Sequence, residues 1–132
     1  MLSPATLRQF ERLRERYPGA SLEAPPSGAA LVTVPNYPLP EGWSAPTTVV
    51  RFLVPVGYPG PHPDCFWTTS GLRLANGTVP QNAADPNPIP ETQHQAHWFS
   101  WHIEDPARNW HPARDDLMTY LSMIGRRFEQ RQ

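Results

Sequence analysis

Proline is the feature that most limits what this chain can fold into: 18 of its 132 residues are Pro. A ring that locks φ and carries no N–H breaks the hydrogen bonding of a helix interior or a central strand. Rigid turns and long ordered loops must therefore take up much of the chain. Five Trp, four Tyr and five Phe argue against disorder, because disordered Pro-rich chains lack the aromatics that drive collapse. At this length the chain holds one hydrophobic core and a single domain, 1–132.

The regular elements lie between those breaks. Ser3-Pro4 is a helix start, with Ser as the cap and Pro at the first helical position. Leu7, Phe10, Leu13 and Tyr17 then form one apolar stripe, and Pro18-Gly19 ends the element, so a helix is expected over 4–17. Its arginines 8, 12, 14 and 16 serve solubility or a docking face. Ala29 to Val34 reads as a strand between Gly28 and Pro35, and Thr47 to Val54 as a second. After the Pro-dense turn Tyr58-Pro59-Gly60-Pro61-His62-Pro63-Asp64, Cys65-Phe66-Trp67-Thr68-Thr69 reads as a short third strand. Residues 70–96 show little periodicity, and a stretch of that length is often functional. The aromatic run from His97 to His102 reads as buried or half-buried. Trp110-His111-Pro112 opens a last helix with Asp115 and Asp116 in its first turn and Leu117, Tyr120, Leu121, Ile124 and Phe128 on one face.

The fold class expected is α+β: N-terminal helix, antiparallel meander of 3–4 strands, long loop, C-terminal helix. Net charge is −1, which gives no footprint for nucleic acid or an anionic membrane. No apolar run approaches the ~20 residues of a bilayer span. A single Cys and no signal peptide fit a reducing cytoplasm. Every basic residue is Arg. A GC-rich coding sequence explains that, as does a protein that handles an amine-reactive ester without modifying itself.

Three ordered segments carry a likeness to known proteins. Val54-Pro55-Val56-Gly57-Tyr58-Pro59 through Pro63-Asp64 and Phe66 resembles the turn after the third strand of ubiquitin-conjugating enzymes. Trp110-His111-Pro112, followed by Asp116-Leu117 and Leu121, resembles their Trp-x-Pro helix start. The N-terminal helix and meander match in order. More narrowly, Phe99-Ser100-Trp101-His102 and Trp110-His111-Pro112-Ala113-Arg114-Asp115-Asp116-Leu117 resemble a bacterial branch, subgroup E of the prokaryotic ubiquitin-conjugating-like proteins. The resemblance implies a conjugating enzyme that receives the C-terminus of a ubiquitin-like protein from an activating enzyme and passes it to an amine. It implies no cofactor and no metal.

The chain departs from that pattern at the nucleophile. Position 102 is His, no Cys lies between 66 and 132, and no His-Pro-Asn motif precedes. Ser100, ten residues before Trp110, takes the place as the candidate nucleophile and would carry an oxyester. A hydroxyl needs a base. His102 would share its face in an extended segment and, with an ordinary pKa near 6.5, suits that role. Glu104 or Asp105 would orient His102, and Asn109 or backbone N–H groups would meet the oxyanion. Ser100 as a small spacer between aromatics and His102 as a structural His are equally open. Cys65, the only thiol, is either a small buried hydrophobe or an alternative nucleophile. His94-x-x-His97 has the spacing of some metal sites but lacks Cys or carboxylate partners at a recognised spacing. Two other functions compete: an inactive domain of the same fold that binds a ubiquitin-like protein or scaffolds the activating enzyme, and an unrelated Ser/His hydrolase, for which the chain offers no Gly-x-Ser-x-Gly elbow.

Overall fold

The computed structural model describes residues 3–90, 92, 94–100 and 110–132. The order of elements is α1 (Pro4–Arg16), β1 (Ser21–Glu23), β2 (Ala30–Pro38), β3 (Thr47–Val54), β4 (Cys65–Thr69), β5 (Ala83–Ala84), β6 (Ala96–Ser100) and α2 (Leu117–Glu129). All strand pairs are antiparallel, in one six-stranded sheet of order β1-β2-β3-β4-β6-β5. The expected meander of 3–4 strands is therefore extended at both edges. β1 and β5 are too short to carry a periodic signal, and only their partners define them.

Ser3 caps α1 by accepting the Thr6 N–H at 3.1 Å, with Pro4 at the start of the helix. Phe10 and Leu13 bury its inner stripe, while Leu7 at the edge of that stripe stays 47% exposed. β2 runs on through Pro35, where the expected strand stopped. A register irregularity between Val34 and Tyr37 spares the ladder a donor that Pro lacks, and Asn36 turns through a φ of 56° beside it.

α2 also starts later than Trp110. Asp115 and Asp116 precede the helix rather than lying in its first turn. Asp116 is the cap and accepts the Thr119 N–H at 2.9 Å, while Thr119 Oγ1 accepts the Asp116 N–H at 3.1 Å. Asp115 instead closes the turn before it, accepting the His111 N–H at 2.8 Å.

The strands alternate, so the sheet has two apolar faces. On one, Val32, Val50, Phe52, Phe66 and Phe99 pack under both helices with Leu13, Tyr120 and Phe128. Phe66 and Phe99 stack with ring centres 4.9 Å apart. On the other, Leu31, Trp67 and Ala96 are covered by Ile89 from the long connection, with Leu53, Cys65 and Trp98 alongside. That connection, 70–96, is tied down at several of its described residues. Leu74 bridges Trp43, β5 pairs with β6, and the Asn87 N–H donates to the Ala96 carbonyl at 2.7 Å.

Candidate functional site

Cys65 begins β4 and Ser100 ends the described part of β6. The β4–β6 register makes them direct cross-strand partners. Strand alternation puts both on the Ile89-covered face, beside the pair Trp67–Trp98. Directly opposed side chains in an antiparallel pair have Cβ atoms about 4.5–5.5 Å apart. The two candidate nucleophiles, from distant stretches of chain, thus stand together at one end of the sheet, both half-buried.

Their surroundings differ. Burial pushes the Cys65 thiol up, Asp64 adds to the shift, and a hydrogen bond with Trp98 offsets it only in part. A thiol held in its neutral form is a poor nucleophile. Ser100 is fixed by its backbone: its N–H donates to the Asn82 carbonyl at 2.9 Å. The residues assigned to assist it, His102, Asp105 and Asn109, lie outside the described residues, as does Glu104.

Just past β5, beside His97 rather than Ser100, a polar cluster gathers around Asp85, which nothing in the aperiodic stretch 70–96 marked out. Its side chain is 5% exposed. It accepts from Ser70 Oγ at 2.9 Å, the Gly71 N–H at 2.8 Å and Arg73 Nη1 at 2.8 Å. Burial alone would raise this carboxyl, but the donors outweigh it, with His97 adding to them, and its pKa falls below the ordinary carboxylate value. His97 lies 4.0 Å away, fully buried against Phe99. His94 takes a different partner, Glu23 at 3.5 Å, so the His94-x-x-His97 pair does not converge. Among the described residues no three His, Cys, Asp or Glu side chains group as metal ligands.

The two sequence segments that resemble conjugating enzymes meet in space. Trp110 Nε1 donates to the Pro59 carbonyl at 3.2 Å, and its ring stacks on His62 with centres 5.6 Å apart. Tyr58 donates its hydroxyl to Gln9 of α1, and the same Gln9 oxygen accepts the Leu117 N–H at 3.2 Å. The turn and the first residue of α2 are thereby joined through one α1 side chain that nothing in the sequence marked out, while Trp110 ties the Trp-x-Pro segment to the same turn directly.

Residues 13–131, nearly the whole of this architecture, match the family described as Prokaryotic E2 family E. The chain belongs to that family. Membership in Prokaryotic E2 family E ties it to ubiquitin-like conjugation and implies a ubiquitin-like protein and an activating enzyme as partners. Comparison with curated proteins and with solved structures gave no match. No helix among the described residues is long and apolar enough to cross a membrane.

Proposed function

We propose that this protein is the conjugating component of a bacterial ubiquitin-like modification pathway and carries the modifier as an oxyester on Ser100. The observation that supports this most is the register that sets Ser100 beside Cys65 at the end of the sheet, half-buried and held through its main chain. In the first step the Ser100 hydroxyl attacks the modifier's C-terminal thioester on the activating enzyme. The C–S bond breaks, the hydroxyl proton passes to a base, and the departing thiolate takes up a proton. His102 is the proposed base, with Asp105 or Glu104 orienting it and Asn109 or backbone N–H groups at the oxyanion. In the second step an amine attacks the oxyester, forming an amide and returning the serine hydroxyl. Catalysis belongs to Ser100 rather than Cys65 in this reading, because burial keeps the thiol protonated.

Intact-mass measurement after mixing the protein with activating enzyme, modifier and ATP tests this. The expected adduct survives thiol reductant, is cleaved by hydroxide and is absent in Ser100→Ala. An adduct lost to reductant moves the nucleophile to Cys65. The absence of a thiol at the usual place favours a second reading, an inactive scaffold of the same fold. No adduct together with tight binding of modifier or activating enzyme would establish it.

A further inference from the structure

Segment 81–85 runs along the outer edge of β6 and is held at each residue. The Gln81 carbonyl accepts from Arg127 Nη2 at 2.9 Å, and its N–H donates to the Gln132 carbonyl at 3.2 Å. Asn82 has a φ of 55°, uncommon for a residue with a Cβ, and its carbonyl receives the Ser100 N–H. Ala83 and Ala84 pair with Phe99 and Trp98. Asp85, next in line, faces His97 and draws in three donors from the chain at 70–73.

Building on the reading of Ser100 as the acylated residue, we infer that Asp85 is a positioning residue for it. The buried carboxylate ties the end of the 81–85 segment to residues 70–73, and that anchored segment, paired with β6, fixes the backbone from which the Ser100 hydroxyl projects. Stability alone is a weak reason for such a site, since a buried ion pair is often no more stabilising than apolar packing of the same volume. Its effect is directional. All three hydrogen bonds converge on one side chain, three residues from the carbonyl that holds the Ser100 N–H. An acyl acceptor at the end of a strand needs that restraint, because a displacement of about 1 Å costs a reaction about a hundredfold in rate.

Asp85→Asn keeps the shape of the side chain but removes its charge and replaces one accepting oxygen by an amide NH2, which donates. Ser70→Ala removes one donor and is the milder variant if Asp85→Asn fails to fold. Three quantities decide the matter: exchange of the Ser100 amide hydrogen, the rate of oxyester formation, and affinity for the free modifier. In Asp85→Asn the Ser100 amide should exchange about tenfold faster while α1 and α2 keep their protection. Oxyester formation should fall by about a hundredfold, with affinity for the modifier unchanged and Ser70→Ala intermediate. Unchanged exchange at Ser100 would overturn the lock. Faster exchange with an unchanged acylation rate would overturn the positioning role. A wild-type protein that forms no oxyester would instead sink the Ser100 reading, and the positioning role with it, while the exchange measurement still decides whether Asp85 holds the segment.

Discussion

His97 has no solvent exposure, and neither ring nitrogen finds a hydrogen-bond partner of good geometry. Burial lowers its pKa, and Arg73 and Arg127 push the same way, against the pull of Asp85 and the Leu72 backbone. The folded protein thus prefers the neutral imidazole more than the unfolded chain does. Stability from this group is complete above the unfolded value of about 6.5 and is lost as pH falls below it toward the depressed folded value. Asp85 acts in a separate window: its contribution is present above about pH 3.9 and disappears only as pH drops through its own lowered value. Urea unfolding between pH 7.5 and 5 should show a decline that begins near 6.5, and His97→Leu should flatten it. An equal decline in that variant would place the proton uptake elsewhere. Little of this was readable beforehand. Spacing before Trp110 singled out Ser100 and residue type singled out Cys65, but their pairing depends on the β4–β6 register, set across the long connection between them. Asp85 stood out in no way, because its donors come from residues 70–73, which show no periodicity.

Among the elements, those with a strong local pattern were the legible ones. β3 and β4 have the bounds that their β-branched and aromatic runs suggest, and α1 differs from expectation by its last residue. The edge strands and the start of α2 were not legible, because long-range pairing and a capping side chain determine them. α2 also carries a glycine that helix propensity cannot explain. A Cβ at Gly125 would lie 2.7 Å from the Tyr37 hydroxyl oxygen, on a ring packed between Tyr17 and Phe128. In an open helix, Gly→Ala gains about 1 kcal/mol. Here overpacking, which costs about 1–3 kcal/mol, opposes that gain. Gly125→Ala should therefore destabilise the protein by about 1 kcal/mol, read from denaturant midpoints. In a Tyr37→Phe background the same change should become neutral or stabilising. An unchanged penalty there would rule out the hydroxyl as its source.

At the scale of the molecule, the two helices share one face of the sheet, and Gln9, Tyr58 and Trp110 tie them to the turn after β3. Trp110→Phe keeps most of the ring but gives up the bond to the Pro59 carbonyl. It should cost about 1 kcal/mol and loosen residues 58–63 first, detectable as local amide exchange ahead of global unfolding. Exchange that rises equally everywhere would contradict a local tie.

The pairing of Cys65 with Ser100 has a practical side. Replacing a serine nucleophile by cysteine is a common way to trap or reroute acyl transfer. In this protein Ser100→Cys would put two thiols on opposed positions of neighbouring strands, with Cβ atoms close to the separation a disulfide needs. Oxidation would then close the pair and silence both sulfurs, so an inert Ser100→Cys protein would report a crosslink rather than a failed nucleophile. Thiol chemistry can be read at position 100 only after Cys65 has been removed.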